Sequence, residues 1–405
     1  METEARYEAE RVLESLRSGV PSAALAQRLA IGRERLLEKA GQVLDGGLVR
    51  PLMVRASYGD GKTHFLEAVA VRARQAGWVV STVSVSREVP LANLDKFYGA
   101  VAAATRLPDS AVSGLMPLLN KVCESGRART NLEGVPERLS CALDAYCLDS
   151  AEHRDELLGE LSGRPIGSLA KILREAFSHP VKFPPFSPSR DAIGYFRLMD
   201  RLVTWAGYRG WALLIDEVEL LGKTGIGQRA RAYANLAGLI HGGDHLEHTW
   251  VVAALASNYY PEVIEARQER TAAPEWLAKR ARSDEAADAT RGIQFLLGAE
   301  LLPPLTLNEV DQLLLMVRDA HGAAYAWTPP EPAGYLNAVR HLAKSGAPVR
   351  TRIRAAVQWL DLWMQYGHAP TIEVWNPQGT SLAEELEEET PEHPQPIGVS
   401  RPAIF

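Results

Sequence analysis

The 405-residue sequence lacks any apolar run of the roughly 18 residues that a membrane-spanning helix requires. Its first residues, METEARYEAERVLESLRSG, are charged and helical in pattern and lack the apolar centre of a signal peptide. The three cysteines, Cys123, Cys141 and Cys147, are too few and too irregularly spaced for a disulfide framework or a zinc site. These absences predict a cytoplasmic protein, without a membrane segment, whose thiols are reduced.

The sequence also lacks an excess of positive charge. The net charge of −6 comes from residues 371–405, which hold seven acidic residues and one basic residue, so that the first 370 residues contain 43 of each sign. A neutral body argues against a broadly basic surface for nucleic acid, although not against a local patch. The acidic, Pro-rich composition of the tail predicts a solvated or docking segment.

Short apolar runs separated by helical stretches are present instead. The runs are PLMV (51–54), WVVSTVSV (78–85), WALLID (211–216) and WVVAALA (250–256). Runs of this kind are typical of parallel strands buried on both faces. Because helical patterns separate them, the sequence predicts an α/β fold.

The remaining segments predict the domain organisation. Residues 1–30 form an N-terminal helical segment, and residues 31–300 form the α/β core. Within the core, residues from about 95 to 200 lack strand alternation and predict a helical insertion outside the sheet. The helical pattern of residues 301–370 predicts an all-helical unit, and residues 371–405 form the tail.

The sequence RASYGDGKTHFLEAV (55–69) follows the first apolar run and contains Gly-Lys-Thr. In a phosphate-binding loop, G-x-x-x-x-G-K-S/T, backbone N–H groups surround a phosphate at a helix N-terminus. Lys62 would supply a charge to the β- and γ-phosphates, and Thr63 a hydroxyl to Mg²⁺. Ala56 stands at the first-glycine position, where it adds one methyl as the turn begins. The predicted ATP-binding residues of the loop are Ser57, Tyr58, Gly59, Asp60, Gly61, Lys62, Thr63 and His64.

A second Gly-Lys-Thr occurs at residues 222–224, also after an apolar run. Here Glu217 occupies the first-glycine position, and a carboxylate has the wrong charge to lie beside a triphosphate. We therefore predict that this second tripeptide binds no nucleotide.

Acidic and polar residues follow two of the predicted strands. Asp216 would hold Mg²⁺ through water, and Glu217 would orient and deprotonate an attacking water, as a hydrolase requires. Most small-molecule kinases do not need such a glutamate. The last apolar run ends at Ser257 and Asn258; Asn258 is the preferred contact of the γ-phosphate and Ser257 the alternative, and a plain strand-end turn stays open.

Two further clusters are weaker. His241, His245 and His248, with Asp244 and Glu247, would suit zinc on a helix, but Gly242 and Gly243 argue against a helix and favour a polar loop that faces DNA or a neighbouring subunit. The segment 340–354 carries five basic and no acidic residues, so it forms a local patch for DNA phosphates or an acidic partner. Its basic residues are Arg340, Lys344, Arg350, Arg352 and Arg354.

Several stretches resemble a known family. IGRERLLEKAGQVLDGG (31–47) resembles the entry motif of AAA+ ATPases, and LLPPLTLNEVDQLLLMVRDAHG (301–322) resembles the start of the helical lid in their Orc-like initiator clade. SYGDGKTHFLEAVAVRARQAGW, SVSREVPLANLDKFYGAV and the sequence after Asp216 resemble the ATP-binding proteins of BREX bacteriophage-exclusion systems, the BrxD-like group. The resemblance runs from about residue 10 to 365.

The resemblance implies an AAA+ P-loop core with a parallel sheet of strand order 5-1-4-3-2 and a C-terminal helical lid. It implies that Gly32 and Arg33 lie near the adenine and that a lid arginine, Arg350 or else Arg352, reaches the γ-phosphate. A neighbouring subunit would supply an arginine finger. The candidates for that finger are Arg280, Arg282 and Arg291.

Two functions from different classes remain open. The first is a Mg²⁺-dependent ATPase, with Glu217, Asn258 and Arg350 as catalytic residues and Thr63 and Asp216 as metal ligands, that works as a motor or switch in an anti-phage defence complex. The second is an ATP-bound scaffold with little hydrolysis that docks a helicase partner. Both imply a homo-oligomer or a hetero-complex. A phosphotransferase is disfavoured because no acceptor site is visible.

Overall fold

A computed structural model gives the fold of the chain. It describes residues 2–18, 25–26, 31–126, 132–148, 152–240, 246–342 and 347–369, without the side chains of residues 2–5 and 189. The predicted acidic tail, 371–405, lies outside the described residues.

The described strands, in chain order, are β1 (Leu52–Ala56), β2 (Val79–Ser84), β3 (Thr105–Arg106), β4 (Trp211–Asp216), β5 (Thr249–Ala256) and β6 (Glu300–Leu301). The α-helices are α1 (Glu2–Ser18), α2 (Glu34–Leu44), α3 (Lys62–Gln75), α4 (Leu94–Ala103), α5 (Met116–Glu124), α6 (Glu137–Leu148), α7 (Arg154–Leu161), α8 (Leu169–Phe177), α9 (Pro188–Trp205), α10 (Ile226–Ile240), α11 (Glu269–Ala278), α12 (Ser283–Leu297), α13 (Leu307–Tyr325), α14 (Pro332–Val339) and α15 (Val349–Tyr366). A 3₁₀-helix spans Val218–Lys223, and a π-helix spans Tyr260–Glu265.

The strands form one mixed sheet of order β3-β2-β4-β5-β1-β6. β5 lies between β1 and β4 and is parallel to both; Ala56 of β1 is opposite Ala256, and Ile215 of β4 is opposite Ala253. All four apolar runs are strands of this sheet, as the sequence predicted, and the α/β class is confirmed. The carboxyl ends of β1, β4 and β5 therefore meet at one edge, where α/β proteins bind ligands.

The predicted strand order, 5-1-4-3-2, was wrong because the sheet has a sixth strand. β3 comes from the segment predicted to be helical and outside the sheet, and it pairs antiparallel with the edge strand β2. A two-residue strand is too short to show alternation in the sequence. The hydroxyls of Ser81 and Thr105 share a buried hydrogen bond of 2.9 Å that joins the two strands. The other five strands, counted 1 to 5 in chain order, are β1, β2, β4, β5 and β6. Their order in the sheet, β6-β1-β5-β4-β2, gives each of them the neighbours that were predicted within this set.

Alternation of side chains along the strands places two apolar layers against the sheet. On one face, Leu52, Val54, Val252 and Ala254 pack with residues of α2 and α3. On the other face, residues such as Met53, Val251 and Ala253 pack with the helices from α4 to α12. Every residue of β4 and β5 is buried, which explains why those runs are continuously apolar.

A third apolar core joins the two ends of the described chain. Leu13 of α1 is fully buried among residues of α13, α14 and α15, including Val317 and Leu360. Helix α1 therefore packs against the C-terminal helices, and the division of the chain into domains stays a prediction. Among the described residues, no helix has both the length and the apolar character needed to cross a bilayer.

The prediction of three reduced thiols was wrong. A disulfide joins Cys123 in α5 to Cys147 in α6, and Cys141 is a free thiol. The two bonded residues are 24 positions apart in the chain, but both helices pack against α9, which brings their ends together. Spacing along the sequence carries no information about this meeting of helices.

Candidate functional site

A cavity of about 200 Å³ lies where the loop after β1 meets the end of β4. Loop residues 58–64 form its polar wall together with Asp216, Glu217 and Glu219. The apolar wall consists of Leu16, Leu25, Ile31, Leu305, Leu313, Val349 and Ile353. The cavity thus has one charged end at the sheet and one apolar end between α1 and the C-terminal helices.

Two glycines allow the loop to reverse direction between β1 and α3. Gly59 and Gly61 have φ of 80° and 91°, in the left-handed region that favours glycine, and Gly61 immediately precedes α3. A Cβ atom at Gly59 would lie 2.8 Å from the Pro348 side chain, just before α15. The first N–H groups of α3 have no partner within the helix, and a helix N-terminus favours an anion. This end of the cavity suits a phosphate.

Ala56 does not belong to the turn. It is the last residue of β1, is 1% exposed, and is not among the residues with positive φ. Its carbonyl accepts a hydrogen bond from the backbone N–H of Ser257, which continues the ladder between β1 and β5. Because the chain is still extended strand at this point, the alanine methyl is accommodated in the core.

Thr63 and Asp216 meet at the charged end. The hydroxyl of Thr63 donates to Oδ2 of Asp216 at 2.6 Å, and Oδ1 of Asp216 accepts the backbone N–H of Glu217 at 2.8 Å. Asp216 is 2% exposed. A hydroxyl and a carboxylate are the hard oxygen donors that Mg²⁺ takes, so this pair fits such an ion.

Glu217 begins an abrupt change of direction. Its φ of 55° is in the left-handed region, which is uncommon for a residue with a side chain and costs on the order of 1–3 kcal/mol. This conformation turns the chain from β4 into the 3₁₀-helix. The Glu217 side chain is exposed and lines the cavity.

Glu219 is a residue of the site that the sequence reasoning missed. It is 7% exposed, its Oε1 lies 3.6 Å from Nζ of Lys62, and its Oε2 accepts the backbone N–H of Ala256 at 2.9 Å. Burial raises the pKa of Glu219, and the Lys62 ammonium opposes that shift. The only sequence signal was a lone acidic residue between the apolar residues Val218 and Leu220.

Asn258 and Ser257 are not among the described residues that line the cavity. The Asn258 amide donates to Glu262 at 3.3 Å, at the start of the π-helix. Oδ1 of Asn258 and Oγ of Ser257 are buried without a hydrogen-bond partner among the described residues. The contact of either residue with a γ-phosphate stays a prediction.

Arg33 lines the cavity and joins three segments. Its guanidinium, 6% exposed, donates to the carbonyl of Asp60 at 2.8 Å and to the carbonyl of Pro303 before α13. Burial lowers the pKa of Arg33. The neighbouring Gly32 has φ of 70° and does not line the cavity, but a Cβ atom there would lie 2.7 Å from Leu305.

Of the two arginines considered for the γ-phosphate, Arg350 and Arg352, only Arg350 lines the cavity. Its backbone N–H donates to Gly59 at 3.4 Å, and its guanidinium donates to the carbonyl of Ser18 at 3.2 Å, at the end of α1. Arg352 instead donates to the carbonyl of Ala347 at 3.0 Å. The N-terminus of α15 therefore covers the loop.

A family model described as BREX system ATP-binding protein BrxC/D matches residues 5–137 and 188–369. The chain belongs to the BrxC/D family. The match includes the loop, the acidic strand end and the helical unit, and it leaves out residues 138–187, which carry α7, α8 and most of α6. No curated protein and no solved structure gave a match. The resemblance to BREX ATP-binding proteins is confirmed.

The second Gly-Lys-Thr of this BrxC/D protein has a different structure from the first. Gly222 and Lys223 end the 3₁₀-helix, and the Thr224 hydroxyl donates to the carbonyl of Leu221 at 2.8 Å. None of the three residues lines the cavity.

The three arginines considered for the finger lie away from the cavity of their own chain. Arg280 lies over the ring of Trp276 at 3.8 Å. Arg282 pairs with Glu285 at 2.6 Å, and Arg291 pairs with Asp288.

The two weaker clusters are only partly described. His241, Asp244, His245 and Lys344 lie outside the described residues. The His248 ring contacts the buried carboxylate of Asp200 at 3.2 Å. In the basic segment, Arg340 pairs with Asp311 at 2.9 Å, which offsets part of the charge available to an anionic partner.

Proposed function

We propose that this BrxC/D protein is a Mg²⁺-dependent ATPase that acts as a motor or switch in a BREX defence complex. The observation that carries the proposal is the exposed carboxylate of Glu217 on the wall of a cavity that also holds Lys62, Thr63 and Asp216. A nucleotide-binding protein without hydrolysis has no need of an exposed acid at this place.

Opposite chemistry at the two ends of the cavity supports ATP as the ligand. The positive end of α3 and the Lys62 ammonium favour the phosphates. The apolar wall, with Leu16, Ile31 and Leu305 among its residues, favours a flat base. Hydrogen bonds from Arg33, just before α2, and from Arg350, in α15, hold the loop in place.

Thr63 and Asp216 are the residues that would hold Mg²⁺, and the ion would supply positive charge beside the phosphates. Asp216 is already fixed by the N–H of Glu217, so its carboxylate needs little reorganisation. Glu217 would accept the proton of an attacking water, since its carboxylate faces the cavity and not the core.

Glu217→Gln tests the proposal. The amide keeps the size of the side chain but cannot accept a proton, so we expect ATP binding to persist while phosphate release falls by about 100-fold or more. Titration calorimetry with ATP and a steady-state phosphate assay measure the two effects separately. Normal hydrolysis in this variant would show that Glu217 is not the base.

The second candidate function is an ATP-bound scaffold that docks a helicase. It is favoured by the Asn258 amide, which contacts Glu262 and not the cavity, and by the distance of the three candidate finger arginines from their own site. Hydrolysis by the wild-type chain that stays at the background rate, with ATP bound and partners present, would select the scaffold. A homo-oligomer or hetero-complex, and contact of the 340–354 segment with DNA, belong to both proposals.

A further inference from the structure

Lys62 has a buried partner of opposite charge. The side chains of Lys62 and Glu219 are 8% and 10% exposed, and Nζ lies 3.6 Å from Oε1. A charge removed from water is costly unless it is paired, so each of these groups compensates for the burial of the other. Without a phosphate in the cavity, the ammonium of Lys62 therefore has a preferred place beside Glu219.

Glu219 is held more firmly than Lys62. Its second carboxylate oxygen accepts the N–H of Ala256, the last residue of β5, and its own backbone belongs to the 3₁₀-helix that starts after Glu217. Lys62 has a flexible four-carbon side chain, and its ammonium also lies 5.9 Å from the centre of the Tyr58 ring and interacts electrostatically with the Asp60 carboxylate. Any ligand that uses the ammonium must draw it away from a carboxylate that stays where it is.

We propose that Glu219 is a positioning residue that competes with the β- and γ-phosphates for Lys62 and thereby limits affinity for nucleotide di- and triphosphates. This inference rests on the proposed nucleotide site. When one arrangement of a protein binds a ligand and another does not, the measured affinity falls by the fraction in the competent arrangement. The pair of Lys62 with Glu219 is the arrangement that does not bind.

Glu219→Gln tests the competition. The amide is similar in size, and its oxygen still accepts the N–H of Ala256, but it has no charge to hold Lys62. We expect the Kd for ADP and for a non-hydrolysable ATP analogue to fall by about tenfold. The Kd for AMP should not change, because AMP has no β-phosphate to reach Lys62. Titration calorimetry with the three nucleotides gives the comparison.

Glu160→Gln is the matched control. Glu160 is also buried, pairs with Arg138 and accepts a backbone N–H, that of Ile166 at 2.7 Å, but it lies in α7 and does not line the cavity. If loss of any buried carboxylate changed nucleotide affinity through stability, Glu160→Gln would do the same. We expect its nucleotide affinities to equal those of the wild type.

Glu219→Gln in a Lys62→Ala background separates competition from simple repulsion between Glu219 and the phosphates. Without the ammonium, competition predicts no further gain in ADP affinity, whereas repulsion predicts the same gain as in the wild-type background. If Glu219→Gln fails to fold, which thermal melting would reveal, Glu219→Asp takes its place in both backgrounds. Aspartate keeps the charge but is one methylene shorter, so its contact with Lys62 loosens and competition predicts a smaller gain that again requires Lys62.

Unchanged or weaker ADP binding in a folded Glu219→Gln protein overturns the inference and leaves the proposed ATPase intact. An equal gain for AMP overturns it too, because the effect would not pass through Lys62. A wild-type protein that binds neither ADP nor the ATP analogue contradicts the proposed function itself.

Discussion

Lys62 and Lys223 each lie in a Gly-Lys-Thr tripeptide, but the two tripeptides differ in backbone conformation and in secondary structure. Lys62 follows a left-handed glycine, begins α3 and is buried at the wall of the cavity. Lys223 ends a short 3₁₀-helix, and the Thr224 beside it caps that turn. At the scale of the residue, the conformation of the preceding glycine and the position relative to the cavity distinguish the two lysines, and only Lys62 lies where a helix N-terminus could bind a phosphate.

Lys62→Ala should therefore weaken ATP binding on the order of 100-fold, since a buried charged contact to the phosphates is lost. Lys223→Ala, the same change in the same tripeptide, should leave ATP affinity unaltered. Calorimetric titration of both variants with ATP is the measurement. Wild-type affinity in Lys62→Ala would remove the loop from the site.

Helix α1 links the start of the chain to the cavity. Its buried residues, including Leu13 and Leu16, pack on the C-terminal helices, and Ser15 and Leu16 contribute to the cavity wall. The guanidinium groups of Arg350 and Arg354 donate to the carbonyls of Ser18 and Arg17 at its end. Cations near a helix C-terminus are favourable, so these contacts hold α1 against α15.

Leu13→Ala should lower the free energy of unfolding by about 2–5 kcal/mol, the usual effect of a truncated core leucine. Tyr7→Ala on the same helix, where the ring is 65% exposed, should change it little. Chemical denaturation followed by circular dichroism compares the two. Equal stability of the two variants would show that α1 is not part of the C-terminal core.

On the scale of the whole molecule, the placement of the arginines determines how much positive charge the chain can offer to a γ-phosphate in the cavity. Among the described lysines and arginines, Arg33, Lys62 and Arg350 line the cavity, whereas Arg280, Arg282 and Arg291 lie elsewhere on the chain. Positive charge at the outer side of the γ-phosphate contributes strongly to phosphoryl transfer, and in many enzymes a neighbouring chain supplies it. The proposed ATPase therefore implies a site shared between subunits.

Turnover per chain should rise steeply with protein concentration or on addition of a partner. Alanine at the active member of Arg280, Arg282 and Arg291 should lower turnover by about 10³-fold while ATP binding is retained. Lys279→Ala, an exposed cation in the same segment, is the control and should have no such effect. Turnover that stays flat across a dilution series, in a protein that light scattering shows to be monomeric throughout, would exclude a shared site.

The sequence by itself determined the local chemistry of this protein. Strong apolar runs identified the four main strands. Motif spacing placed Lys62 and Thr63 in the loop motif after the first strand and Asp216 and Glu217 at the end of another, and all four residues line one cavity. These features depend on neighbouring residues, and parallel strands bring their carboxyl ends to one edge. Their catalytic roles stay predictions.

Tertiary structure alone decided what depends on residues far apart in the chain. Strand β3 exists because α4 leads the chain back to the edge of the sheet, and Cys123 meets Cys147 because two helices share α9. Glu219 faces Lys62 across 157 positions, and α1 joins the C-terminal helices from the other end of the chain. Packing between distant segments leaves no periodic pattern or spacing in a single sequence, so only the folded chain shows these contacts.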